Sequence, residues 1–397
     1  MSTFYLARQP ILDVENNTYG YELLFRSTTK NSYDPSVDGD TATARVLVNS
    51  IVEAGLDSIV GNSRAFVNLT EYFLENPEML DLLEPGSCVL EILEDVIVTD
   101  SVFAGVRALH AKGHTIALDD FVDAVQFTRL MPLVHIIKYD ITQHTMEELA
   151  ALRLKDAAAG RLSLAERVET HEEYDTLKAA GFQYYQGYFF AKPHVISGSK
   201  LPQNRVAILQ LLGQINDPAS SIYDIAETLS HDVALSVRTL KYVNSPLSAL
   251  KSEVTSISHA AVLLGREPIR NWVILLVMTG IEDKPQELTK MALVRARFCQ
   301  LLSLERELGD DGKYFTIGLL SLVGVLMDLE LGDALDQFSI TGDLRSQILD
   351  LAGPGGEMLK LVSEIEKPEP EVELEDPAIG QIYQNSISWA EQLFGML

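Results

Sequence analysis

The sequence predicts an α/β chain: a TIM-like (β/α)8 barrel followed by an all-α helical domain. Three observations carry this reading. Short β-type runs alternate with helix-like segments through residues 4–189. Polar residues able to do chemistry sit near the ends of those runs. After about residue 200 the β texture stops and helical periodicity takes over.

The β-type runs are 4–8, 18–25, 65–69, 88–92, 115–119, 135–140, 161–165 and 182–189. The first two follow each other without room for a helix, so the barrel is expected to open on a hairpin. Helix-like segments at 41–55, 101–113 and 171–181 lie between later runs, and the last two end on Gly113 and Gly181, as a left-handed helix stop requires. A strand–helix alternation of this kind implies a mostly parallel sheet. The second half offers helices at 203–215, 221–229, 233–243, 256–264, 267–281, 287–308, 313–329, 343–351 and 378–394. Ser256 is placed as an N-cap and Gly265 just past the helix end. The turn-rich segment 194–204 separates the halves, giving domains 1–197 and 198–397, and the acidic, Pro-punctuated run 364–377 reads as an exposed loop.

Composition narrows the function. With 57 acidic and 31 basic residues the net charge is −26, which argues against a groove for polymeric nucleic acid. A small phosphate ligand stays compatible, because metal ions can supply positive charge locally. The apolar stretch 314–327 is shorter than the roughly 20 residues a membrane span needs, so no membrane insertion is expected. Two isolated cysteines, Cys88 and Cys299, and no visible targeting segment suggest a reducing cytoplasm.

The strand ends carry Glu22, Asn68, Glu91, the adjacent pair Asp119 and Asp120, Lys138, Asp140, Glu166 and Gln186. In a parallel barrel the C-terminal strand ends share one mouth. Carboxylates converging there repel one another and lose hydration, so they call for a cation. An oxygen-rich set with one amide suits Mg²⁺ or Mn²⁺.

These residues and their surroundings resemble a known family. YELLFR (21–26), with RQPI (8–11) before it, and then FVNL, LEIL, DDF, KYD, AERVE and QGYFFAKP follow the order of motifs in EAL domains, bacterial phosphodiesterases of cyclic di-GMP. The resemblance spans roughly residues 1–197. It implies that Glu22, Asn68, Glu91, Asp119 and Asp120 hold two divalent metals. It implies that Lys138 and Glu166 position or activate the attacking water, supported by Asp140 and Glu169. Gln9, Arg26 and Gln186 would contact the nucleotide, and the product would be pGpG.

The pattern also departs from that family. Its usual glycines after DDF are Val122 and Ala124 here, the Gly of EGVE is Arg167, and the Thr of E-x-T-E is Leu93. Changes behind metal ligands alone cost tenfold to a hundredfold in affinity or activity. Two roles therefore stand side by side: a slow or conditional phosphodiesterase, and a receptor or scaffold without turnover. The altered loop weighs against the family's usual dimer, although self-association through the barrel stays an expectation.

The second half resembles the HDOD domain, through 228–246 and 256–274, and the pairing resembles the YuxH-type architecture. The segment matching the His-Asp metal motif of related phosphohydrolases is 319–324, with Ser321 and Leu322 in those places. Neither can replace a metal-binding His-Asp pair, so no metal is expected there, and His231-Asp232 reads as a helix entry. The resemblance implies an interaction or regulatory module facing an unidentified protein partner. His110 and His114 read as surface histidines rather than a zinc site, and Cys88 as a core residue rather than a ligand.

Overall fold

The computed structural model describes residues 4–27, 56–81, 83–121, 125–191, 221–230, 239–244, 254, 256–265, 268–269, 271–272, 275, 285–338, 340–367 and 376–395. Two compact units emerge: Met1–Lys192 with Glu366–Gly380, and Pro193–Ile365 with Gln381–Leu397.

The first unit is a closed eight-stranded barrel, β1 (Phe4–Asp13), β2 (Thr18–Ser27), β3 (Arg64–Leu69), β4 (Cys88–Ile92), β5 (Thr115–Leu118), β6 (Ile136–Asp140), β7 (Leu162–Glu166) and β8 (Tyr184–Gln186). β1 runs antiparallel to both neighbours, β2 and β8, and every other pairing is parallel. The opening hairpin is thus present. Its turn is held by Asp13, whose Oδ1 accepts from the N–H groups of Glu15 and Asn17, each at 2.9 Å. β1 is longer than the sequence suggested, because Gln9 and Pro10 continue its ladder opposite Glu22 and Tyr21.

The barrel interior is layered. Ile11, Phe66, Val89, Ala117, Ile136 and Leu164 form one buried apolar cluster. Two residues further along their strands come Asn68, Glu91, Asp119, Lys138 and Glu166. Alternation along a strand returns to the same face every second residue. The polar ring is thereby set on an apolar floor at the C-terminal strand ends.

Among the described helices around the barrel are α1 (Asp57–Val60), α2 (Glu71–Glu75), α3 (Asp100–Ala111), α4 (Met146–Ala158) and α5 (His171–Ala180). α5 starts with a capping box between Thr170 and Glu173 and stops at left-handed Gly181. α4 has the same device in Thr145 and Glu148, yet the sequence reading passed over it. Its apolar stripe is weak: Leu149 and Asp156 are its buried residues.

The described part of the second unit is helical: α6 (Ile222–Ser230), α7 (Ile257–Leu264), α8 (Gln286–Glu305), α9 (Asp311–Leu320), α10 (Val323–Met327), α11 (Leu331–Gln337), α12 (Gly342–Leu349) and α13 (Gly353–Ile365), and α14 (Pro377–Phe394) belongs to it from Gln381 onward. Ser256 caps α7 by accepting from the His259 N–H at 3.2 Å. The helix expected over 313–329 is two helices, broken at Ser321–Leu322, where Ser321 Oγ donates to the Gly318 carbonyl at 2.7 Å. α13 covers 364–365, so the acidic run expected as loop from 364 begins inside a helix. Among the described residues no helix is long and apolar enough to cross a membrane. The expectations for 41–55, 194–204, 203–215, 233–243, 267–281, Val122, Ala124, His231 and Asp232 fall wholly or partly outside the described residues.

Candidate functional site

The ring of polar strand ends is organised around one ammonium. Lys138, on β6, is wholly buried, and its Nζ lies 2.6 Å from Asp119, 2.8 Å from Glu91, 2.9 Å from Glu166 and 3.4 Å from Glu22. Those carboxylates come from the loop after β5, from β4, from β7 and from β2. An ammonium has three N–H bonds. With four carboxyl groups around it, at least one contact is charge attraction without a hydrogen bond.

Amides extend the cluster toward β8, β1 and β3. Gln186 Nε2 donates to Glu22 Oε2 at 2.6 Å and lies 2.9 Å from Gln9 Oε1. Asn68 Nδ2 donates to Glu22 Oε1 at 3.1 Å. Register brings these groups together: Gln9 is opposite Glu22, Asn68 is beside Glu91, and Ile11 is opposite Gln186.

One positive charge facing four carboxyls in a buried site drives their proton affinities apart. Burial pushes Glu91 and Glu166 well above the usual carboxylate range, against the pull of Lys138. Burial likewise raises Asp119 to about 6, with Glu22 and Asp120 adding repulsion. Glu22 moves the other way. Burial alone would raise it, but Lys138 and the amides of Gln186 and Asn68 outweigh that and lower it. For Lys138, burial disfavours the charge and the four carboxylates more than restore it, so the ammonium stays charged.

Not every expected site residue joins this cluster. Asp140, two residues after Lys138, is held apart from it. Its Oδ1 accepts from the Thr142 N–H at 2.9 Å and from Thr142 Oγ1 at 2.7 Å, and its Oδ2 accepts from Gln143 Nε2 at 3.1 Å. Burial would raise this carboxyl, but those bonds and the nearby Arg167 bring it below the usual range. The Arg167 Nε lies 3.4 Å from Asp140 Oδ2. Asp120 is half-buried with a positive φ of 39°, and its charge is felt by Asp119 and Glu166, but it is not an ion-pair partner of Lys138. Glu169 is exposed, and its backbone N–H donates to Glu173 at 2.9 Å. Arg26 lies on β2 opposite Tyr5, its side chain outside the described residues. Thr142, Gln143 and the Arg167–Asp140 tie escaped the sequence reading. The Asp-x-Thr spacing after a strand was the available signal for the first of these.

The donor chemistry fits hard divalent cations. The buried oxygens Glu91 Oε2, Glu166 Oε2 and Gln186 Oε1 receive no hydrogen bond within the protein, and carboxylate and amide oxygens are what Mg²⁺ and Mn²⁺ take. The arrangement is a different matter. Among the described residues no group of three or more His, Cys, Asp or Glu side chains is disposed to hold a metal ion, because the carboxylates close on Lys138. Elsewhere in the barrel, Cys88 is a free, buried thiol and His110 stacks on His135 at 5.2 Å, whereas His114, expected at the surface, is buried just before β5 because the chain turns inward into the strand after Gly113.

Comparison with known proteins agrees with this architecture. The EAL domain model matches residues 2–193, and the HDOD domain model matches residues 201–335. The cyclic di-GMP phosphodiesterase CdgJ of Vibrio cholerae is 34% identical over 92% of this chain and 86% of its own length. The uncharacterized protein YuxH of Bacillus subtilis is 31% identical over 91% of this chain and 90% of its own length. A crystal structure of the Bacillus subtilis YkuI protein, with an EAL domain in complex with substrate c-di-GMP and calcium, is 19% identical. It covers 57% of this chain and 72% of that one, with a TM-score of 0.41. The chain therefore belongs to the family of proteins in which an EAL domain is fused to an HDOD domain.

Proposed function

We propose that the barrel mouth binds cyclic di-GMP and slowly hydrolyses one of its phosphodiester bonds, giving pGpG. The observation that carries this is the Lys138 cluster: four carboxyls, one ammonium and two amides from seven different barrel segments meet at one mouth. In this reading Glu22, Asn68, Glu91, Asp119 and Asp120 would hold two Mg²⁺ or Mn²⁺ ions, whose chemistry would be to lower the pKa of a water and neutralise the phosphate. Lys138 holds Asp119 and Glu91 in place and keeps a positive charge at the floor of the mouth. Glu166, whose proton affinity burial raises, is the carboxylate suited to take a proton from an attacking water. Gln9, Gln186 and Arg26 bind the nucleotide, with Asp140 and Glu169 in support. A relative named as a cyclic di-GMP phosphodiesterase, alike over 92% of the chain, supports this reading.

A second reading, a nucleotide receptor or scaffold without turnover, is favoured by one specific feature. The carboxylates close on Lys138 rather than on a preset metal cradle, so metal entry must first displace ion pairs. In both readings the HDOD module of residues 198–397 acts on a protein partner, the barrel domain is 1–197, and the barrel is free to self-associate. Purified protein incubated with Mn²⁺ or Mg²⁺ and cyclic di-GMP separates the two. Formation of pGpG that disappears in Glu22→Ala supports the enzyme; saturable binding with intact nucleotide after prolonged incubation supports the receptor.

A further inference from the structure

The mouth is rich in carboxylates, and its central cation cannot reach a ligand. Lys138 has no exposed surface and is enclosed by Glu22, Glu91, Asp119 and Glu166. Beyond the metals and Arg26 of the reading above, a phosphodiester at this carboxylate-rich mouth gains from a further cation it can touch. Arg167 has the required exposure. It directly follows Glu166 at the end of β7, and its side chain is 54% exposed.

Two further features set Arg167 apart from an ordinary surface arginine. Its backbone has a left-handed φ of 58°, a conformation that side chains other than glycine rarely adopt. The family resemblance puts a glycine at this position, the residue this backbone would favour. Its Nε edge also faces Asp140 at 3.4 Å. Asp140 is itself fixed by Thr142 and Gln143, as three hydrogen bonds show. A carboxylate held this way orients the guanidinium at the mouth before any ligand arrives. Strain stored beside a site is an established mark of function when an actual outlier is observed.

We propose that Arg167 receives a phosphodiester group of the nucleotide as a planar, charged fork, with Asp140 holding it in place. This rests on the cyclic di-GMP reading above and adds a contact that the family's glycine cannot make.

Equilibrium binding of cyclic di-GMP to the full chain in Mg²⁺, at low and moderate ionic strength, tests it. The wild type is expected to bind, with Arg167→Gln tenfold or more weaker and Arg167→Lys recovering part of the loss. Arg167→Gln is also expected to flatten the salt dependence, since a charge contact with phosphate is removed. Where turnover is measurable, KM rises and kcat changes little. Arg167→Gly is expected to lose affinity while unfolding at the same or a higher temperature, because glycine relieves the positive φ. That separates loss of a contact from loss of structure. Wild-type affinity in Arg167→Gln and Arg167→Gly overturns the proposal and leaves the nucleotide reading standing. Absence of binding by the wild type overturns the nucleotide reading itself.

Discussion

Lys138 shows how much one side chain can carry. Four carboxyls share its ammonium inside a site with no exposed lysine surface, and removing one partner of a buried charge set is strongly destabilising. Lys138→Met is therefore expected to lose about 3–5 kcal/mol of stability at neutral pH. Its carboxyls, left without a counter-ion, then take up protons more readily. The deficit against wild type should shrink as pH falls from 7 toward 5, and denaturant melts at the two pH values check it. A deficit independent of pH contradicts the charge account. His135 makes a separate case just before β6 begins. Its Nδ1 lies 3.1 Å from the Ile116 N–H as acceptor, so it must be unprotonated there. Burial, and then the stacked His110, push its pKa down. The unfolded chain therefore binds the proton first as pH drops. Stability from this bond is complete above the ordinary histidine pKa of about 6.5 and is lost as pH falls through the lower folded value. Asn in its place can accept the same hydrogen bond through Oδ1 and does not titrate. His135→Asn should keep the Ile116 amide protected from hydrogen exchange and remove that part of the acid sensitivity. Equal acid sensitivity in both proteins refutes the assignment.

At the scale of elements, the β7–β8 end places Gln186. The Val168 N–H donates to the Gln186 carbonyl at 3.0 Å, and the Phe189 N–H donates to the Val168 carbonyl at 3.1 Å. Gly187 lies between, with φ of 150°, and a Cβ there would sit 2.1 Å from the Val168 carbonyl oxygen. Gly187→Ala must push these segments apart. It is expected to cost about 1–3 kcal/mol from backbone strain alone and to move the Gln186 amide off Glu22 and Gln9. Thermal unfolding together with nucleotide titration checks it, and an unchanged melting temperature would show that the loop yields freely. The elements around this corner also show what sequence makes legible. β4, β6 and β7 were readable because apolar residues and a polar strand end alternate on one inner face, as in Val89–Glu91, Ile136–Lys138 and Leu164–Glu166. α4 was not, because its cap was present but its buried stripe was thin. The break between α9 and α10 was hidden inside a continuous apolar run, where periodicity cannot register a two-residue interruption. For the site, the acids at strand ends could be listed from sequence. Their closure on Lys138 could not, since it depends on bringing Glu22 and Lys138 together across 116 residues of chain. The same holds for Arg167 choosing Asp140 over its neighbour Glu166.

For the whole molecule the governing quantity is charge. A net charge of −26 spreads repulsion over the chain, and the barrel mouth concentrates it where burial is deepest. Divalent cations should therefore act in two ways, by general screening and by specific binding, and pH distinguishes them. In the ion-free protein burial raises the proton affinity of Glu91 and Glu166, and that of Asp119 to a pKa of about 6. Metal ligands must be deprotonated, so protons compete with metal for these oxygens. Specific stabilisation by Mn²⁺ or Mg²⁺ should grow as pH rises through about 6 and be accompanied by proton release. At a free-ion concentration a hundred times the dissociation constant it amounts to about 2.7 kcal/mol. Screening by added NaCl produces neither the pH dependence nor the proton release. Glu91→Gln removes a ligand while nearly preserving shape, and should abolish the metal-specific part, leaving the salt response in place. Calorimetric scans of the full chain, with and without the ion, are expected to show the barrel's transition shifting and the helical unit's transition unmoved. Chelation with EDTA should return the barrel to its ion-free melting temperature. If Glu91→Gln responds to Mn²⁺ as fully as the wild type at pH 8, the carboxylate ring is a proton-sharing structural core and the ions act elsewhere on the surface.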